Sequence, residues 1–273
     1  MSEADAIAAS ERPATRTSLG GDLAALGVES GMTLMVHSSL SRLGFVAGGA
    51  HAVVLALLDA VGPEGTVMMP TLSNHLGDPA TWMNPPVPEE WWQTIRDETP
   101  GYDPNLTPTR LMGAIVESFR HLPGVQRSSH PTASMAATGP HAMTLLEPHD
   151  LDYPLGESSP LARLYELDGH VMLLGVTHEN NTSLHLAEYR SPPPEGPPHV
   201  RRSAPVVHHG GRAWVTYDDI DDDADDFGEL GEAFAETGLE HRGSVGAGTG
   251  RLMRSRDIVD FGVGWLRKHR HGV

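Results

Sequence analysis

MTLMVHSSLSRLGFVAGGA (32–50) decides the fold. MTLMVH (32–37) is a short apolar run ending in polar residues, the pattern of a strand buried on both faces. Ser38 and Ser39 open a turn of small and hydroxylated residues. From Gly49 to Gly62, Val53, Val54, Leu57, Leu58 and Val61 then recur at helical spacing. A strand, a small-residue turn and a helix point backbone N–H groups and hydroxyls at the helix start, which suits phosphate or another oxyanion. The turn lacks the Walker lysine and the GxGxxG spacing, which argues against an ATPase or a dinucleotide-binding protein. An ordinary capped turn is the competing reading.

Working outward, TVMMP (66–70) reads as a second strand stopped by Pro70. TRLMGAIVESFRHL (109–122) is amphipathic, with Leu111, Met112, Ile115, Val116 and Phe119 on one face. A shorter helix is expected near 140–147. SSPLARLYEL (158–167) starts with serine caps and a first-turn proline, and HVMLLGV (170–176) is a core strand. SLHLAEYR (183–190) reads as a helix capped by Thr182 or Ser183 and ended by prolines at 192–198. APVVHHGGRAWVTY (204–217) reads as a hairpin turning at Gly210-Gly211. RLMRSRDIVDFGVGWLRKH (251–269) reads as a helix with Leu252, Ile258, Val259 and Trp265 toward the core. No repeat or linker divides the chain. The expectation is a single α/β domain over 19–273, a mixed central sheet flanked by helices, after a flexible segment at 1–18. Residues 72–108 interrupt the pattern with repeated Pro and with Trp82, Trp91, Trp92 and Tyr102, so they read as an inserted lid or substrate-binding loop.

The chain has 273 residues, no cysteine and a formal net charge of −17. Such a surface repels nucleic acid, whose phosphates need clustered Lys and Arg. An acidic cleft would attract a cationic ligand, and an acidic surface alone would serve solubility. Without cysteine there is no disulfide, thiolate zinc site or cysteine nucleophile. The sixteen histidines show no HExxH or other ligand spacing, so no metal site is expected and most read as surface or capping residues. No apolar run approaches the roughly 20 residues that span a bilayer. MSEADAIAASERPATR (1–16) reads as neither a signal nor a transit peptide, so a cytoplasmic protein without membrane association is expected.

His185 and Glu188 lie three apart on the expected helix, hence on one face. Histidine is the natural base near neutral pH, and a carboxylate that accepts its other ring proton fixes the tautomer. Such a pair also occurs on solvated helices. Asn180, Asn181 and Thr182 could bring donors to a developing oxyanion. Between 218 and 226, seven of nine residues are Asp. Asp219 and Asp221 would share a face if the strand before them continued.

Taken together and in order, MVHSSLSRLG (35–44), GPEGTVMMPT (62–71), YDPNLTPTRLMG (102–113), PGVQRSSHPTAS (123–134), SSPLARLYELDGHVMLLGV (158–176) and NTSLHLAE (181–188) resemble the aminoglycoside 3-N-acetyltransferase family, which is unrelated to the GCN5-like fold. GSVGAGTGRLMRSRDIVDF (243–261) resembles the apramycin-acetylating branch. The resemblance runs from about residue 20 to about residue 265, and implies direct transfer from acetyl-coenzyme A to the 3-amino group of an aminoglycoside. It makes His185 the general base within a TxxHxxE block that includes Thr182, and Asp219 the carboxylate that orients it, with Asp218 or Asp221 as substitutes in another register. It assigns His37, Ser38, Ser39 and Arg127 to the coenzyme, and Asp78, Asp103, Glu188 and Asp221 to substrate ammonium groups. The family's usual orienting residue is a glutamate, one methylene longer than Asp219. A homodimer stays open, as does a relative acting on some other amine.

Overall fold

The apolar runs form strands, and their period of two sorts the core into two halves. The computed structural model describes residues 3–8, 10–196, 199–208 and 210–272. In chain order the elements are α1 (Glu3–Ala8), α2 (Arg16–Leu26), β1 (Thr33–Ser38), α3 (Gly49–Val61), β2 (Thr66–Pro70), α4 (Trp92–Glu98), α5 (Gly113–Arg120), β3 (Gln126–Arg127), β4 (Met135–Thr138), α6 (Ala142–Leu146), α7 (Pro160–Glu166), β5 (His170–Leu174) and α8 (Ser183–Tyr189). The hairpin β6 (His199–His208) and β7 (Gly211–Ile220), α9 (Phe227–Ala235), β8 (His241–Val245), β9 (Gly248–Arg254) and α10 (Ser255–Leu266) follow, and a π turn at Arg267–His271 continues from α10.

Seven strands make a mixed sheet in the order β3-β4-β2-β1-β5-β9-β8. β1 runs parallel to β2 and β5, and the outer pairs are antiparallel. Leu34 and Val36 point to one face with Val67, Met69, Met172 and Leu174, under α2, α3 and α5. Met35 points to the other with Met68, Val171 and Leu173, under α6 to α10. Burial on both faces is why these strands read as nearly continuous apolar runs. In open sheets of this kind, ligands bind beyond the carboxyl ends of the parallel strands. Here Ser38-Ser39, Thr71–Ser73 and the segment 175–182 emerge there.

Several expectations change. In place of a flexible start, α1 and α2 occupy much of the first 26 residues. Ala14 hydrogen-bonds to Phe45, and Thr15 closes a capping box on α2. The helix expected from 109 begins only at Gly113, because Leu111 has a left-handed backbone (φ 60°) and its side chain is turned out to solvent. Residues 251–254, read as the start of a helix, instead complete β9, and Leu252 reaches the core from a strand. β3, β4 and β8 had no strong periodic signal, and α9, whose Phe227, Leu230 and Phe234 recur at helical spacing, was not among the expected elements. The hairpin register pairs His208 with Gly211, so Gly211 is in the strand. His209 and the last two residues of the proline cluster lie outside the described residues. Residues 72–108 carry α4 and three 3₁₀ turns, and a bridge from Tyr102 to Val206 ties them to the separate β6–β7 ribbon. Among the described residues, no helix is long and apolar enough to cross a membrane.

One helical glycine has a sign that propensity alone would misjudge. A Cβ at Gly231 in α9 would lie 2.2 Å from the ring of His178. That ring is buried and donates to Glu240 Oε2 at 2.6 Å, so it cannot swing aside cheaply. Alanine in place of an unhindered helical glycine would stabilise by up to about 1 kcal/mol. We expect Gly231→Ala instead to destabilise by about 1–3 kcal/mol through overpacking, read from the urea midpoint. A rise in stability would show that the ring yields.

Candidate active site

The site assembles where β1, β5 and the β6–β7 ribbon meet. α8 follows β5 across the segment 175–182, which holds a 3₁₀ turn at His178–Asn180. Ser183 N–H bonds Asn181 Oδ1 and the Thr182 side chain makes no capping bond, so Asn181 and not Thr182 or Ser183 caps this entry. The Thr182 backbone N–H donates to His37 Nε2 at 3.0 Å, tying the helix start to β1. One turn on, His185 Nδ1–H donates to Glu188 Oε2 at 2.6 Å. The carboxylate fixes the tautomer, which leaves Nε2 as the ring nitrogen with a lone pair for the cavity that His185 lines. The ring also packs 5.1 Å from Phe227. Burial disfavours the imidazolium, but the bond and charge of Glu188, with Asp222 and Asp219, outweigh it and raise the His185 pKa above the ordinary histidine value.

Asp219 does not orient His185. It ion-pairs with Arg202 Nε at 2.8 Å and accepts from the Tyr189 hydroxyl. β7 ends at Ile220, so Asp219 is buried while Asp221 turns out to solvent, and the two do not share a face. Asp218 is half-buried and pairs with Arg201. Glu188 is the partner instead, and it is not free to anchor a substrate. Its other oxygen accepts from Asp223 N–H at 3.0 Å and from Arg270 Nη1 at 2.6 Å.

Two cavities adjoin at Leu111, and His185 lines the smaller. The smaller, of about 450 Å³, is lined by His185, Asp78, Asp219, Asp222, Trp82 and Tyr217 among others. Asp222 stands 3.9 Å from His185 Nδ1 and pairs with Arg202. Asp78 reaches the wall from the 72–108 segment, where Arg96 holds it at 2.7 Å. Burial raises its pKa, but the bonds to Arg96 and Ala80 N–H outweigh that and keep it below the ordinary value. The larger cavity, of about 1090 Å³, is lined by Ser38, Ser39, Ser41, Arg42, the backbone at Gly175 and Arg251. Leu111, 92% exposed, is the residue common to both walls.

The remaining assignments separate. Ser38 and Ser39 face the larger cavity, but His37 points to the opposite face of β1. It is buried and accepts a hydrogen bond through Nε2. Burial, with the nearby His178 and His185, pushes its pKa down to about 3. Arg127 lines neither cavity. Its guanidinium is committed to Thr71, Ser73, Thr107 and Ser134, so it braces the loops that carry Leu72 and Thr132 to the wall of the smaller cavity. Asp103 also lies away from both, accepting from Asn105 and Leu106 N–H of its own turn. The histidines are more structural than composition suggests. His130 and His149 stack at 5.1 Å, and burial pushes them down to about 3 and about 4. Both stay neutral so that they can accept hydrogen bonds in the loop that presents Thr132. Arg42, Arg202, Asp222, Arg251 and Arg270 were missed. Asp222 sits inside the visible Asp run, but no local pattern marks the four arginines. Among the described residues, no cluster of three or more His, Cys, Asp or Glu is placed to hold a metal ion.

The comparisons agree with this architecture. The family model described as aminoglycoside 3-N-acetyltransferase matches residues 35–267. The SPbeta prophage-derived aminoglycoside N(3')-acetyltransferase-like protein YokD of Bacillus subtilis is 46% identical over 93% of this chain and 93% of its own. Its crystal structure superposes with a TM-score of 0.94 over 98% of both chains. Aminoglycoside N(3)-acetyltransferase VII of Streptomyces paromomycinus is 39% identical over 98% of this chain and 96% of its own. Two further solved structures, AAC-IIIb in binary complex with CoASH and AAC-VIa bound to sisomicin, each reach a TM-score of 0.83. They are 36% and 33% identical, covering 94% and 96% of this chain and 97% and 100% of their own. The chain belongs to the aminoglycoside 3-N-acetyltransferase family of acyltransferases.

Proposed function

We propose that this protein transfers the acetyl group of acetyl-coenzyme A to the 3-amino group of an aminoglycoside, with both substrates bound at once and His185 as general base. The observation that carries the proposal is the 2.6 Å His185–Glu188 pair, with His185 on the wall of an acidic cavity and a second cavity of about 1090 Å³ adjoining it at Leu111. A CoASH complex and a sisomicin complex of relatives support the two ligand classes. An amine attacks a thioester only when it is neutral. As its nitrogen bonds to the thioester carbon, His185 Nε2 takes the proton, and the imidazolium returns it to the departing thiolate. Glu188 holds the ring in the basic tautomer throughout. Orientation of two reactants side by side accounts for much of the remaining acceleration.

The acidic wall suits a polycation, since an unpaired ammonium is expensive to desolvate. Asp78, Asp219 and Asp222 are the acids that line it, and Arg96 and Arg202 occupy them in this structure. On the donor side, Ser38, Ser39 and Ser41 offer hydroxyls, and Arg42 and Arg251 offer positive charge for phosphates, in place of Arg127.

Thiol release from acetyl-coenzyme A with kanamycin, gentamicin and apramycin offered in turn tests the reading, and silence with all three would reject it. His185→Ala should lower kcat about 100- to 10,000-fold, or roughly 3–5 kcal/mol in barrier, with coenzyme binding little changed. Because the His185 pKa is raised and the neutral ring is the active form, kcat/KM should rise with pH through a limb above about 6.5. Glu188→Gln should move that limb down and lower the plateau; an unmoved limb would remove Glu188 from the dyad. Asp222→Asn should raise the aminoglycoside KM roughly tenfold or more, with little change for the coenzyme.

A further inference from the structure

Glu188 is held from behind as well as from the side of the histidine. Its carboxylate is 4% exposed and accepts from three directions: His185 Nδ1 on one oxygen, Asp223 N–H and Arg270 Nη1 on the other. Arg270 comes from the π turn at Arg267–His271, 82 residues along the chain from its partner. The same guanidinium binds Asp226 through Nε at 2.7 Å and the Asp223 carbonyl at 2.6 Å, and lies 5.9 Å over the Phe227 ring. Phe227 in turn packs on His185. One arginine therefore touches the dyad's carboxylate, the acidic loop that closes behind it and the ring under the histidine.

We propose that Arg270 is a positioning residue for the acetyl-transfer reaction, completing an Arg270–Glu188–His185 relay that holds the carboxylate in line with the imidazole and offsets its charge. The charge part follows from the neighbours. Glu188 from its own helix, Asp219 near the end of β7 and Asp222 just after the ribbon act on His185 with negative charge, and Asp223 and Asp226 in the loop before α9 stand behind Glu188 on Arg270. Opposed to them are Arg202 on β6 and Arg270, with His37 neutral on β1. Each carboxylate favours the imidazolium, which cannot accept a proton. Arg202 pairs with Asp219 and Asp222 on the cavity side. Arg270 does the same for Glu188 and Asp226 on the far side. Without it, His185 would hold its proton to higher pH and the neutral fraction near pH 7 would fall.

The assignment rests on His185 acting as the base, so the test has one readout that needs no turnover. The His185 imidazole is titrated by NMR in the wild type, Arg270→Gln and Arg270→Lys, with its signal assigned by its loss in His185→Gln. Arg270→Gln should raise the titration midpoint by about one unit, while Arg270→Lys stays near wild type. In steady state, the acidic limb of kcat/KM should move up by the same amount, so that Arg270→Gln loses roughly tenfold at pH 7 and recovers above pH 8.5. The aminoglycoside KM at that higher pH should be unchanged. A purely structural role would instead lower activity evenly at every pH and leave the midpoint in place, and that result, or a lowered midpoint, overturns the proposal. A thermal melt of each variant separates unfolding from either outcome. If the wild type releases no thiol with any aminoglycoside, the acetyl-transfer reading fails, and the NMR midpoint still decides what Arg270 does to the ring.

Discussion

The structure around the site depends on one buried carboxylate. Stripping Glu188 of water would be costly if any of its oxygens went unpaired, because a buried charge without partners forfeits its hydration with nothing in return. Satisfying it draws together a helix-mate one turn away, a backbone N–H in the acidic loop and a guanidinium from the π turn after α10. These partners fix where α8, the 221–226 loop and the end of α10 sit relative to one another. The geometry of the His185–Glu188 pair is thus a consequence of satisfying one charge.

A second constraint acts from the sheet. His37 can brace the start of α8 only while Nε2 keeps a lone pair, and burial ensures that by making the imidazolium unfavourable. Two histidines 148 residues apart in sequence therefore serve opposite ends. His37 is driven to stay neutral as an acceptor, whereas carboxylates hold His185 ready to take a proton. Environment sets the role of each ring, in the way that paired titratable groups with diverging pKa values mark acid–base sites.

The charge balance of the cavity has the same logic. A surface at −17 attracts a polycation from a distance, but the acids that line the acceptor wall are already bridged by Arg96 and Arg202. On the proposed function, an ammonium entering there would exchange with a guanidinium rather than meet a bare carboxylate. Such exchange favours ligands that place several ammonium groups at fixed spacing, since one alone gains little over the resident arginine.

The sequence by itself determined the central strands, most of the helices that cover them and the placing of His185 and Glu188 on one helix face, because each is written in a local period: two for strands, three to four for a helix face. That Glu188 and not Asp219 bonds the ring was decided only by the fold. It also carried the family blocks in their order. It misplaced Asp219 and Asp221, since their fate turned on where β7 stopped. It assigned Arg127 to a ligand when that side chain's hydrogen-bonding capacity was consumed by loops brought close only in the fold. The 248–254 strand was hidden because pairing with β5 on one side and β8 on the other, not residue propensity, makes it a strand. Arg270, Arg202 and Arg251 left no trace in any window of sequence. Charge pairing acts through space over a few ångströms, and only the folded chain decides which distant residues come within that reach.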